Sequence, residues 1–195
     1  MFEHYLNSLA SLGTLLVVGV TAVIALGQLS HLRASNQLDG LIHCLEWRES
    51  EVMQDSDAFV RTQLPEKMRD PEYRKELALP TVDRRVHKEL AICDWIEQTG
   101  SYIKYELITE EQYLDLNSDY VEQMWATLKT VVAIRRAARS QAMYENFEYL
   151  AARAQRWTEK HSAGNYPVGT PRLLSPQDCH AIAQKMGTTE RVTLH

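Results

Sequence analysis

The 195-residue sequence has few cysteines and no excess of positive charge. Its three cysteines, Cys44, Cys93 and Cys179, are odd in number and never spaced as Cys-x-x-Cys, which argues against a disulfide framework and a zinc ribbon. Unpaired cysteines are typical of a reducing compartment. The formal net charge is −5. Nucleic-acid-binding proteins carry an excess of lysine and arginine, so we expect no nucleic-acid partner.

Charge is also missing from the start of the chain, where no residue between Glu3 and Arg33 is formally charged. Within this stretch, residues 9–29 are rich in Leu, Val, Ile and Ala. As a helix, this segment would extend about 31 Å, which matches a hydrocarbon core of about 30 Å. The sequence therefore predicts a single transmembrane helix near the N-terminus.

Two alternatives compete with a membrane span. A cleaved signal peptide would begin with positive charge, whereas the chain begins Met-Phe-Glu-His, although Ala25-Leu26-Gly27 has the small-x-small form of a cleavage site. A buried helix that is apolar on every face requires a large surrounding protein, and the rest of this chain is small. We therefore expect a retained single-pass anchor.

The charges that flank the apolar stretch predict its orientation. His31 and Arg33 follow it, whereas Glu3 and the α-amino group precede it. Because positive charge favours the cytoplasmic side, the C-terminal domain is expected in the cytoplasm. The unpaired cysteines indicate the same side.

From residue 35 onward the pattern is helical, because no segment alternates apolar and polar residues for long enough to form a strand. The expected fold class is all-α, with the single transmembrane helix followed by an antiparallel helical bundle. The predicted helices cover 37–60, a segment from Pro71, 82–104, 119–139, 141–160 and 176–187. Thr109-x-x-Gln112 has the form of a capping box that starts another element, and Ser175-Pro176 has the form of a helix start. The predicted organisation is an anchor over 1–35, a bundle domain over 36–160, and a loop, short helix and tail over 161–195.

Basic residues cluster at Arg135, Arg136 and Arg139, while the preceding part of the domain is acidic. One interpretation is that these arginines interact with a helix C-terminus and form salt bridges to the acidic part. The other is that, with Arg33, they contact phosphate or anionic lipid, since an anchored domain lies near headgroups.

Motifs of catalysis are absent from the sequence: it contains no glycine-rich phosphate loop and no His-Glu-x-x-His. His43-x-x-Glu46 places a histidine and a carboxylate on one helical face, and His87 is spaced similarly from Asp83. Each is a lone pair, and a metal site would need further ligands. We therefore predict no catalytic residues, no metal site and no cofactor.

Several short segments of the chain form a recognisable set: Leu12-Gly13-Thr14-Leu15-Leu16, Gln28-Leu29 through Ser35-Asn36-Gln37, Phe59-Val60, Leu64-Pro65-Glu66 and Tyr144-Glu145-Asn146-Phe147-Glu148-Tyr149-Leu150. With these segments the chain resembles a bacterial family of membrane-anchored proteins known as a domain of unknown function. The resemblance covers residues from about 10 to 155 and implies a bacterial inner-membrane protein with one N-terminal span and a helical cytoplasmic domain. It supplies no reaction and no catalytic residues.

Three hypotheses for the function follow from these observations. The leading one is a membrane-tethered interaction or regulatory module, without catalysis, that contacts the lipid bilayer and binds a protein partner or forms a homo-oligomer. The second is a membrane-associated enzyme or metal-binding domain that uses His43, Glu46 and His87. The third is a surface that contacts anionic lipid.

Overall fold

The structure, a computed structural model, describes residues 2–162 and 164–185. All regular secondary structure in this part of the chain is helical, which confirms the all-α prediction. The helices, in chain order, are α1 (Phe2–Arg48), α2 (Glu51–Thr62), α3 (Leu64–Lys67), α4 (Pro71–Leu77), α5 (Glu89–Lys104), α6 (Glu110–Ala138), α7 (Glu145–Lys160) and α8 (Pro176–Lys185).

The long helix α1 contains the apolar stretch and continues without a break into the domain. It is long and apolar enough to cross a membrane, a property that a signal sequence or a core helix can share. The chain leaves α1 at Arg48, and Ser50 then caps α2 by accepting a hydrogen bond from the amide of Met53. The prediction of one helix over 37–60 is therefore wrong, because a serine cap at residue 50 starts a new helix.

Helices α5, α6 and α7 form the bundle. The pair α5 and α6 runs antiparallel around a short turn, which brings the rings of Trp95 and Tyr120 to 5.9 Å between centroids. Helix α7 contacts both members of the pair, with Phe147 lying edge-on to Trp125 of α6 at 5.2 Å. The core includes the fully buried Leu90, Ile96, Leu114, Leu128 and Leu150.

The predicted bounds of three helices differ from those in the structure. Helix α5 begins at Glu89 instead of residue 82, because the side chain of Asp83 accepts the amide of Arg85 and forms a turn. Helix α6 begins at Glu110 rather than at residue 119; Thr109 precedes it as predicted, but its hydroxyl contacts Gln37 and forms no capping hydrogen bond. Helix α7 begins at Glu145 rather than at residue 141.

The segment from residue 161 forms a compact unit separate from the one that ends at Lys160. Within it, the predicted start of α8 is confirmed. The Ser175 hydroxyl accepts a hydrogen bond from the backbone amide of Asp178, and the Asp178 carboxylate accepts one from the backbone amide of Ser175. The predicted end at Gly187 and the tail lie outside the described residues.

Candidate functional site

Helix α1 joins the domain at the turn between α5 and α6. The guanidinium of Arg33 donates to the Glu106 carboxylate at 2.5 Å, and the Gln37 amide donates to the Glu106 backbone oxygen at 3.0 Å. The Thr109 hydroxyl also contacts Gln37, at 3.4 Å. We call Arg33, Gln37 and the turn 105–109 the proximal end, because it is the part of the domain nearest to the apolar stretch of α1.

The three clustered arginines lie at the other end of α6 and contact backbone oxygens. Arg135 is 5% exposed and donates to the carbonyls of Leu77 at 2.6 Å and Leu79 at 2.8 Å. Arg139 donates to the Pro80 carbonyl at 2.6 Å. These bonds tie α6 to the end of α4 and the chain that follows it.

Arg136 stabilises the start of α7 in a similar way. Its guanidinium donates to the carbonyl of Met143 at 2.8 Å, to that of Tyr144 at 3.2 Å and to the carboxylate of Glu148 at 2.6 Å. We call Arg135, Arg136 and Arg139, together with the segments 77–80 and 143–144 that they contact, the distal end.

The structure does not bring Arg33 together with these three arginines. Arg33 contacts the turn just before α6, whereas Arg135 lies in its last turn. At 1.5 Å per residue, the 26 positions between Thr109 and Arg135 correspond to about 39 Å of helix. The four arginines therefore do not lie on one surface, and Arg135 is in addition buried, so a single lipid-contacting surface made of all four is not favoured.

The three residues of the alternative enzyme or metal-site hypothesis are also separated in the structure. His43 and Glu46 are exposed on α1, whereas His87 lies just before α5 and is 1% exposed. Among the described residues, no group of three or more His, Cys, Asp or Glu side chains is arranged to hold a metal ion. The hypothesis of an enzyme or metal site built from these three residues is therefore not favoured.

His87 belongs to a buried polar network that the sequence did not reveal. Its Nδ1 lies 3.0 Å from Glu89 Oε1, and its Nε2 lies 3.3 Å from Glu76 Oε2. The Tyr73 hydroxyl donates to Glu89 Oε2 at 2.8 Å, and burial followed by the negative charge of Glu89 raises the pKa of Tyr73. His87 and Glu89 are buried, whereas the Glu76 side chain is exposed, and the network joins α4 to α5.

A small cavity of about 150 Å³ lies between α1 and α5. It is lined by His43, Cys44, Trp47, Trp95, Gln98, Thr99 and Tyr102. The Cys44 sulfur lies 3.9 Å from the Thr99 hydroxyl, and burial raises the pKa of this thiol, so it remains protonated at neutral pH. His43 and Cys44 thus do not form an activated nucleophile and base.

Residues of the segment 144–150, at the start of α7, form hydrogen bonds to α5. Tyr144, which has a positive φ of 59°, donates its hydroxyl to the Asp94 carboxylate at 2.9 Å. The Glu97 carboxylate accepts the side-chain amide of Asn146 and the backbone amide of Phe147, both at 2.8 Å. The polar members of this segment therefore have a structural role: they orient α7 and satisfy an amide in its first turn.

No curated protein and no solved structure matches the chain. One family does match, over residues 15–157, and it is described as a domain of unknown function, which confirms the resemblance to such a family. Because this match covers most of the sequence, the chain belongs to the family of the domain of unknown function DUF4760.

Proposed function

We propose that the chain is a bacterial inner-membrane protein with a single span, whose helical domain lies in the cytoplasm and acts as an interaction or regulatory module. The observation that carries this proposal is the division of α1 into two parts. All side chains from 13 to 36 are exposed, whereas Leu41 and Cys44 are buried in the core. An isolated apolar helix requires lipid around it, and a bilayer supplies that environment.

The proposed side of the membrane rests on charge and on thiol chemistry. His31 and Arg33 follow the apolar stretch, which favours the cytoplasm for the domain. Cys44 and Cys93 are buried as free thiols, and burial raises the pKa of Cys93 as well. Free thiols inside the core fit a reducing compartment.

The proposed interaction surface is one side of α1. Positions 20, 24, 27, 31, 34, 38 and 42 lie on one side of the helix by their spacing. Within the span every side chain from 13 to 36 is exposed, and beyond it Leu38 and Ile42 are exposed apolar residues on this side. Leu38 and Ile42 extend the apolar part of this side beyond the span, and we propose that it meets the same side of a second copy.

Thiol labelling tests the span and its orientation. Cys179 is the only exposed cysteine among the three, all of which lie in the described residues. In spheroplasts of cells that express the full chain, a membrane-impermeant maleimide should label Cys179 only after lysis. A Cys179→Ser variant should stay unlabelled in both conditions. Labelling of intact spheroplasts would contradict the cytoplasmic side, and release of the protein by alkaline carbonate would contradict the span.

Site-specific photocrosslinking tests the proposed pairing. A photoreactive residue at Ile42 should yield a crosslinked product of twice the chain mass. The same residue at His43, which points about 100° away around the helix, is the matched control and should yield little. Monomer alone at both positions, or a product with a different protein, would refute pairing of two copies.

A further inference from the structure

The turn between α5 and α6 exposes two large apolar side chains that the core does not use. Tyr105 is 66% exposed and Leu107 is 56% exposed, whereas the next residue, Ile108, is buried. A β-carbon on Gly40 of α1 would lie 3.2 Å from Ile108, so the turn packs closely on α1. The turn is therefore anchored by one apolar residue and presents two others outward.

The backbone of the turn determines this outward orientation. Glu106 has a φ of 56°, in the left-handed region that non-glycine residues seldom adopt. The amide of Leu107 donates to the Tyr102 carbonyl at 2.8 Å and closes the end of α5. Residues 105 and 107 thus flank a fixed bend instead of continuing either helix.

The position of the turn along α1 relates it to the apolar stretch. Glu106 lies between the two apolar residues, and its carboxylate accepts a hydrogen bond from the Arg33 guanidinium at 2.5 Å. Arg33 is the first formally charged residue after the apolar stretch and directly follows Leu32. For a spanning α1, this ion pair lies at the level of the lipid headgroups, and the turn lies beside it.

Basic side chains lie among carboxylates at the same end of the domain. The Lys104 ammonium lies 5.9 Å from the centre of the Tyr105 ring and 3.6 Å from the Glu145 carboxylate. The start of α6 and the end of α7 together line a groove that contains Glu110 and Glu111 as well as Arg153, Arg156 and Lys160, with Arg153 paired to Glu110 at 2.6 Å. Tyrosine favours the membrane interface, and lysine and arginine near the surface are attracted by anionic headgroups.

We propose that the turn 105–109 is a second membrane contact, in which Tyr105 and Leu107 enter the headgroup region of an anionic bilayer. The inference rests on the proposed span, because the bilayer reaches the turn only if α1 crosses it. The domain is then held at two points, α1 and the turn, and its proximal end faces the lipid.

Depth-dependent fluorescence quenching tests this contact on the full chain. In a Cys179→Ser background, a Leu107→Cys variant carries an environment-sensitive probe and is reconstituted into vesicles of phosphatidylglycerol and phosphatidylethanolamine with nitroxide-labelled lipid. Leu79→Cys is the matched control, because Leu79 is 51% exposed but lies at the distal end. We expect severalfold stronger quenching at residue 107 than at residue 79, and weaker quenching at 107 in phosphatidylcholine vesicles.

A third probe separates this inference from the span itself. Leu29→Cys, inside the apolar stretch, should be strongly quenched by nitroxides deep in the bilayer. Quenching at 29 together with equal, low quenching at 107 and 79 would overturn the second contact and leave the span intact. Absence of quenching at 29 would overturn the span, and equal quenching at 107 in both lipid mixtures would overturn the preference for anionic lipid.

Discussion

The proximal and distal ends of the helical domain both contain arginines, but these arginines have different environments. At the proximal end Arg33 is exposed and pairs with an exposed carboxylate. At the distal end Arg135 is buried and bonds to two carbonyls. A surface ion pair contributes little to stability, whereas loss of a buried charged donor leaves a buried acceptor unsatisfied. Arginines of similar appearance in the sequence therefore differ in role according to what they contact.

Removal of Arg135, the buried arginine of the distal end, is expected to have the largest effect on stability. Arg135→Met leaves the buried Leu77 carbonyl and the partly buried Leu79 carbonyl without their charged donor. We expect the free energy of unfolding to fall by about 2–4 kcal/mol. Chemical denaturation of the full chain in detergent, followed by circular dichroism, measures the change. A loss no larger than that of a proximal variant would contradict the contrast between the two ends.

A second comparison uses two glycines at helix contacts. A β-carbon on Gly100 of α5 would lie 2.3 Å from the backbone oxygen of Asn146, so Gly100→Ala must move α7 and should cost about 2 kcal/mol. The β-carbon of Gly40→Ala would lie 3.2 Å from the Ile108 side chain, which can move, and alanine favours the helix by about 1 kcal/mol.

Thermal unfolding of the two variants measures this difference. We expect Gly100→Ala to melt clearly below the unmodified chain and Gly40→Ala to melt at or above it. The opposite order would show that the contact at the proximal end is the tighter of the two.

Alkaline pH should weaken the domain through its buried tyrosines. Burial raises the pKa of Tyr73 and Tyr144, and the nearby carboxylates Glu89 and Asp94 raise it further. Because these pKa values are higher in the folded state, the unfolded chain binds fewer protons above its tyrosine pKa of about 10, and stability falls as the pH rises beyond it. Denaturation at stepped pH, together with phenolate absorbance, measures this loss. Phenolate formation at both residues in a chain that remains folded would contradict the burial of the hydroxyls.

The smallest effect is expected at the proximal end. Arg33→Met removes the exposed ion pair with Glu106 and should change the free energy of unfolding by less than about 1 kcal/mol. Because salt screens exposed charges, the remaining difference should vanish in high salt. Denaturation of both proteins in low and high salt provides the test. A loss comparable to that of Arg135→Met would show that the Arg33 contact is central to the fold.

Periodicity predicted the elements that depend on local sequence. The all-helical fold, the long apolar helix and the helix starts at Pro71 and Pro176 were all predicted, because apolar spacing and caps act over a few residues. The start of α5 was missed because Val82 and Val86 continue the apolar spacing of the helix. In the structure, His87 and Glu89 bond to α4, and the preceding segment forms turns instead.

The candidate sites depended on contacts between distant parts of the chain. Arg33 and Glu106 are 73 positions apart, and the Arg135 bond to Leu77 spans 58 positions. Neither pairing leaves a spacing pattern in a single sequence, so the role of the turn 105–109 was not predicted. The arginine cluster was noticed, but only the structure shows that Arg135 donates to the backbone carbonyls of Leu77 and Leu79.

Helix α1 has no break between Leu29 and Arg48, and this continuity has a mechanical consequence. A spanning helix responds to bilayer thickness by changing its tilt. With no hinge to absorb that rotation, and with Leu41 and Cys44 embedded in the core, the bundle must turn through the same angle as the span. If α1 spans a bilayer as proposed, a change in its tilt would therefore raise or lower one edge of the domain relative to the lipid surface.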